Sequence, residues 1–227
     1  GARYFYFSSK IACKLFDVII TDAEEMRKIY LNEFNCDSEV IAYGANIKES
    51  QNQSLIEKYF LEKRQYYLIV GRLIPDNNSD LIINEFIKSN TTKKLVVVGD
   101  VPYKDKYALN LKKQANKNII FTGYINNQEL LAELYHNCFA YIHGHEFGGT
   151  NPTLLKAMAY GSAIIALDTV FSREVLTDKF GLFFIKTEDS LLNLLIEIEE
   201  NTNCVIKDDN MKKRIEEIYN WNKVAEE

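Results

Sequence analysis

Cysteine is sparse and unpaired in this sequence: Cys13, Cys36, Cys138 and Cys204 are widely separated and no CxxC occurs. Such spacing supplies neither a disulfide framework nor a zinc site, and suits reduced thiols filling the core of a cytosolic protein. No apolar run approaches the length of a bilayer span, and no cleavable leader is visible at the start. Charge of one sign is massed nowhere. Lys and Arg alternate with Asp and Glu at a net charge of -5, which argues against a nucleic-acid partner. Internal repeats and low-complexity tracts are missing. The first complete strand is followed by GRLIPDNN and not GxGxxG, so a dinucleotide oxidoreductase is a poor reading.

What is present is the composition of an ordinary globular chain. The 227 residues are 47% hydrophobic and 26% charged, enough for a sizeable core in one or two domains. From residue 66 onward, short β-rich runs alternate with amphipathic stretches, the order expected of a parallel sheet covered by helices. Strands are expected at Tyr66–Val70, Lys94–Gly99, Ile119–Phe121, Phe139–Ile142, Ala163–Ala166 and Leu182–Ile185. Their continuous apolar runs suit burial on both faces. Helices are expected at Ser79–Lys88, Lys104–Gln114, Asn127–Tyr135, Pro152–Tyr160, Phe171–Leu176, Ser190–Glu200 and Met211–Tyr219. The fold class is therefore α/β, a doubly wound Rossmann-like parallel sheet.

Residues 1–47 differ in kind. They offer two strand candidates, Asp17–Thr21 and Glu39–Ala42, around one helix at Ala23–Phe34. A two-stranded sheet cannot cover a core, so this piece is expected to lean on further residues upstream of Gly1. Residues 48–65 are expected to form a linker with a short helix around Leu55–Leu61, residues 66–220 one domain, and 221–227 a tail.

The segment Tyr141–Gly161, YIHGHEFGGTNPTLLKAMAYG, carries the most chemistry. Apolar Phe139–Ile142 feeds a turn in which Gly148 and Gly149 permit close backbone approach. Asn151 and Pro152 then read as N-cap and first helical residue. Free N–H groups and the positive dipole end at such a terminus attract anions, so a diphosphate fits beside Gly149, Thr150 and Asn151. An ordinary capped strand-to-helix turn would read the same way.

Several stretches in order resemble the C-terminal donor-binding domain of a GT-B glycosyltransferase, of the large retaining type called group 1 or family 4. DVIITDAEEMRKIY and VIAYGAN resemble the end of the acceptor-binding N-terminal domain. YYLIVGRLIPDNN, LVVVGD, FTGYINNQELLAELYHNCFAYIHGHEFGGTNPTLLKAMAYGSAIIALD and YNWNKVAEE continue the match over nearly the whole chain. GRLIPDNN and HGHEFGGTNPTLL are worded closest to bacterial rhamnosyltransferase-like enzymes.

The resemblance implies a nucleotide-diphosphate sugar bound at the C-terminal edge of the sheet. It further implies transfer to a surface polysaccharide or lipid-linked glycan by a cytoplasmic enzyme, one that sits at the inner face of the membrane when full length. Gly71 and Arg72 then match the loop whose guanidinium holds the diphosphate. Many relatives carry a lysine a few residues on, where this chain has Asp76, Asn77 and Asn78, and Asn78 is the donor-binding candidate. Gly99 and Asp100 end the second strand at the ligand. Gly123, Tyr124 and Ile125 frame the nucleobase. His143 ends the fourth strand, and Leu154 belongs to the helix that follows. The pair His143 and His145 has no further ligand cluster, so neither metal nor other cofactor is expected.

Family members place two glutamates here with seven residues between them, the second accepting hydrogen bonds from the ribose. The positions fall on Gly148 and Lys156, so both carboxylates are missing. Lysine has only donors and cannot accept hydroxyl protons, although it reaches phosphates. Glu146 is the substitute carboxylate candidate near the sugar, with Arg72 the other catalytic candidate. Two readings follow: an active transferase, or a nucleotide-binding domain of the same fold that has lost transfer.

Overall fold

The computed structural model describes residues 2–202 and 209–225; Cys204 and the closing Glu226 and Glu227 lie outside the described residues. The chain begins with helix α1 (Ala2–Leu15), strand β1 (Ile20–Thr21), helix α2 (Glu24–Phe34) and strand β2 (Glu39–Val40). Strands β1 and β2 pair in parallel over two residue pairs, a shorter ladder than the sequence runs suggest. Helix α1 was not expected, although its apolar Tyr4, Phe7, Ile11 and Leu15 recur at helical spacing. Tyr4, Phe7 and Leu15 are exposed, while Tyr6 meets Phe34 of α2 with ring centroids 5.0 Å apart. The linker folds as a 3₁₀ helix at Gln53–Tyr59, two residues before the expected one, with Asn52 accepting from the Ser54 amide.

Beyond it lie β3 (Tyr66–Val70), α3 (Ser79–Lys88), β4 (Lys94–Val98), α4 (Lys106–Lys112), β5 (Ile119–Gly123) and α5 (Gln128–Asn137). Then come β6 (Ala140–His143), α6 (Pro152–Ala159), β7 (Ile164–Leu167), α7 (Val170–Leu176), β8 (Leu182–Phe184), α8 (Ser190–Glu200), α9 (Asp209–Glu217) and α10 (Trp221–Val224). The six strands β3 to β8 form one parallel sheet in the order β5-β4-β3-β6-β7-β8. Every expected strand of this half exists. Helix α4 is shorter than its apolar pattern at both ends, because Asp105 caps it by accepting from the Ala108 amide.

Side chains alternate across the sheet, and each face has its own core. Tyr66, Leu68, Val96, Val98 and Tyr141 pack with α5, α6 and α9 on one side. Tyr67, Ile69, Leu95, Val97 and Ile142 pack with α3, α4 and α8 on the other. The buried tyrosines keep their hydroxyls paired: Tyr66 donates to the Leu134 carbonyl at 2.8 Å and Tyr67 to Glu199 at 2.7 Å. A buried aromatic with a satisfied polar tip adds area without an orphaned group.

The C-terminal segment returns to the N-terminal elements. The Ala45 amide donates to the Tyr219 carbonyl at 2.7 Å, and the Trp221 ring lies so close to Gly44 that a Cβ there would sit 2.7 Å from it. No described helix is long and apolar enough to cross a membrane.

Candidate functional site

Strand order reverses at β3. The chain builds outward through β4 and β5, then returns to place β6 on the other flank. Connections diverging from that point leave a crevice at the carboxyl ends of the strands, where open α/β sheets take ligands. A cleft of about 380 Å³ opens there.

Its walls come from every loop at that edge. After β3 stand Gly71, Arg72 and Asn77; after β4, Gly99 and Asp100; after β5, Tyr124, Ile125 and Gln128. His143, Gly144 and His145 come from the end of β6, and Asn151, Pro152, Thr153 and Lys156 from the start of α6. Gly99 has a positive φ of 125°, and a Cβ on it would sit 2.9 Å from the carbonyl carbon of Gly71 and overlap the oxygen. The bare Cα is thus required by the neighbouring loop, whereas the sequence reading assigned it to close approach of a ligand.

Two cations without an ion pair share the wall with the start of α6. Neither Arg72, which is exposed, nor Lys156 has an ion pair among the described residues. Asp100 also lines the cleft, but Lys112 holds its carboxylate at 2.7 Å and keeps it below the usual carboxylate range. At α6, Asn151 Oδ1 accepts the Thr153 amide at 2.9 Å. No described residue accepts the amides of Gly149, Thr150 or Asn151. Tyr124, 75% exposed, stands on the wall with an aromatic face presented to solvent.

Both histidines of the HGH run are held through Nδ1. Asn77 donates its amide to the Arg72 carbonyl at 2.7 Å, which turns Asn77 Oδ1 toward His145 Nδ1, 2.8 Å away. His143 is buried, with Nδ1 3.0 Å from the Tyr141 hydroxyl. Burial, helped by nearby His145, pushes the His143 pKa down to about 3, so its imidazole is neutral. Among the described residues no three His, Cys, Asp or Glu side chains gather as metal ligands.

Gly71, Arg72, Gly99, Asp100, Tyr124, His143, Asn151 and Lys156 are thus brought together on the wall. Six other candidates are not on it. Asn78 is buried and ties loops together, donating to the Gly144 carbonyl at 2.8 Å. Glu146 is taken by Lys186 at 2.5 Å, which depresses its pKa, and by Asn78 at 3.3 Å. Leu154 belongs to the core and Gly123 only borders the cleft, its carbonyl accepting the Gly99 amide. Gly149 and Thr150 lie under Asp22: the Thr150 hydroxyl donates to the Asp22 carbonyl, and a Cβ at Gly149 would strike the Asp22 carboxylate. Sequence reasoning left out Asn77, Gln128, Thr153 and His145 from the site and gave Asp22 no part in it. His145 stood in the HGH run, but nothing local marks Asp22, which meets its partner 128 residues away.

Known proteins share this architecture. HepE of Anabaena, solved with UDP and glucose, superposes with a TM-score of 0.84 at 13% identity, over 97% of this chain and 64% of that one. An uncharacterised glycosyltransferase of Methanocaldococcus jannaschii is 26% identical over 99% of this chain and 60% of its own length. The N-acetylgalactosamine-N,N'-diacetylbacillosaminyl-diphospho-undecaprenol 4-alpha-N-acetylgalactosaminyltransferase of Campylobacter jejuni is 28% identical over 76% of this chain and 46% of its own. The chain therefore spans less than two thirds of the length of these relatives. The sheet order, the crevice at its switch point and the likeness to HepE are those of the GT-B fold, and the family "Glycosyl transferases group 1" matches residues 51–218, so the chain belongs to the group 1 glycosyltransferases.

Proposed function

We propose that residues 66–220 form the donor-binding domain of a glycosyltransferase and hold a nucleotide-diphosphate sugar in the cleft at the edge of β3 and β6. The observation that carries this is the presence on one crevice of an unpaired guanidinium, an unpaired ammonium and the free Asn151 amide at the start of α6. Arg72 takes diphosphate oxygens in its fork and offsets the charge that develops on the departing nucleotide. The Asn151 end of α6 adds its free amide, and Lys156 adds a point charge. Tyr124 supplies a flat face for the base. Residues 1–47 belong to the acceptor-binding domain, and the Trp221 segment crosses back to it. The acceptor is a lipid-linked or surface glycan, in line with the undecaprenol-linked substrate named for the Campylobacter relative. The full protein works at the inner face of the membrane, with rhamnosyl transfer as the finer reading of the donor and retention of configuration as its outcome.

Lys156 on the wall supports a second reading, a nucleotide-binding domain without transfer. Both are tested by measuring sugar release and transfer by the protein from the complete reading frame against a panel of UDP- and dTDP-sugars. Turnover of one donor supports the transferase; tight nucleotide binding with no turnover of any donor supports the silent domain; no nucleotide binding removes both.

A further inference from the structure

Lys156 stands where a carboxylate would accept hydroxyl protons, and Lys112 holds the Asp100 carboxylate on the wall, yet one buried side chain is arranged as an acceptor. The polarity of a hydrogen-bond chain decides this. It begins at the Thr153 backbone N–H, which can only donate, and which Asn151 Oδ1 accepts at 2.9 Å. Asn151 is thereby fixed with its oxygen inward, so the Thr153 hydroxyl must donate to it, at 2.8 Å. With its one proton spent, Thr153 Oγ1 accepts from the Tyr141 hydroxyl at 2.9 Å. Tyr141 then has only lone pairs left for His143, and its oxygen accepts from Nδ1 at 3.0 Å. A neutral imidazole protonated at Nδ1 is bare at Nε2. His143 is 4% exposed and lines the cleft, and its Nε2 has no partner among the described residues while remaining open to solvent.

Resting on the nucleotide-sugar reading above, we propose that His143 is a fixed hydrogen-bond acceptor in the cleft, whose bare Nε2 takes a hydroxyl of the bound nucleotide sugar. It performs the accepting function that Lys156 cannot. The hydroxyl belongs to the ribose or to the transferred sugar, which share the same chemistry. The depressed pKa means that mild acid does not convert the acceptor into a donor. A bare acceptor takes a hydroxyl and repels a phosphate oxygen, so this atom selects a hydroxyl at its position.

Long-range nitrogen-15 NMR of the histidine-labelled chain without ligand tests the arrangement, His143 being assigned by its loss in His143→Gln. Protonated Nδ1 with bare Nε2, unchanged between about pH 6 and 8, is expected; a proton on Nε2 overturns the proposal. Thr153→Val releases the Tyr141 proton and should move the His143 proton to Nε2, and an unmoved proton counts against the chain of donors. Calorimetry then compares UDP, 2′-deoxy-UDP and UDP-glucose in wild type and His143→Phe, with about a tenfold loss expected where the contact is made. A loss for UDP but not for 2′-deoxy-UDP assigns the ribose; a loss for UDP-glucose alone assigns the transferred sugar. Equal affinity of both proteins for all three ligands overturns the proposal. If wild type binds none of them, the nucleotide-sugar reading and the hydroxyl assignment fall together, while the ligand-free spectrum judges the tautomer separately.

Discussion

Gly99→Ala tests the construction of the cleft more sharply than any ligand contact. Two effects oppose the added methyl. The backbone at φ 125° is a conformation that L side chains rarely adopt, costing about 1–3 kcal/mol. The new Cβ also meets the Gly71 carbonyl, part of the backbone that hydrogen-bonds from Gly71 N to the Val98 carbonyl at 3.0 Å. That obstacle is no flexible side chain that can swing aside, so overpacking adds about 1–3 kcal/mol. A total near 4 kcal/mol corresponds to a fall in Tm of about 8–16 °C for a chain of this size. Gly123→Ala is the control. Its φ of 69° imposes strain, but nothing lies within 4 Å of its Cβ, so its cost should be the smaller part alone. Thermal unfolding followed by circular dichroism, with urea unfolding for the free energies, separates the two. If Gly99→Ala is no less stable than Gly123→Ala, the close packing of the β3 and β4 loops is not what shapes this edge.

Arg72→Gln should weaken UDP binding by roughly 10- to 150-fold in calorimetric titration, the value of a hydrogen bond to a charged group. It should leave Tm within a degree or two, since Arg72 is exposed. Lys156→Glu should weaken UDP binding in the same titration, since a carboxylate then replaces a cation on the wall that receives the diphosphate; tighter binding would refute a phosphate role for Lys156 and place the residue at the ribose. Glu133 is buried, and although burial pushes its pKa up, hydrogen bonds from the Asn52 and Gln51 amides, Ser50 and Asn137 outweigh it and hold the pKa below the usual range. A depressed carboxylate stabilises above its unfolded pKa and loses that contribution as pH falls through the folded one. Glu133→Gln should therefore cost about 1–3 kcal/mol at neutral pH in urea unfolding, a gap that narrows as pH falls below the usual glutamate range.

The parallel sheet was legible because its strands announce themselves as short apolar runs between amphipathic stretches, and burial on both faces leaves that pattern little freedom. The cap of α6 was legible for a local reason: Asn151 accepts the amide two residues along the chain. Helix α1 was not expected, although Tyr4, Phe7, Ile11 and Leu15 recur at helical spacing; what the structure adds is that the helix meets Phe34 and Tyr30 of α2 through Tyr6 and Ser9 and leaves that stripe exposed. The site divided along the same line. Arg72, His143 and Asn151 sit at strand or helix ends that the pattern locates. Asn78 and Glu146 sit in the same loops, yet turn to one another and to Lys186.

Period and punctuation in the chain were thus enough to specify a doubly wound α/β sheet with a capped strand-to-helix turn, since both depend on near neighbours. Folding alone settled which side chains the crevice receives, that Gly99 yields to Gly71, and that Asp22 covers Gly149. It settled also which nitrogen of His143 carries the proton. These depend on groups brought together from distant positions, and no local pattern encodes the direction in which a loop side chain finally turns.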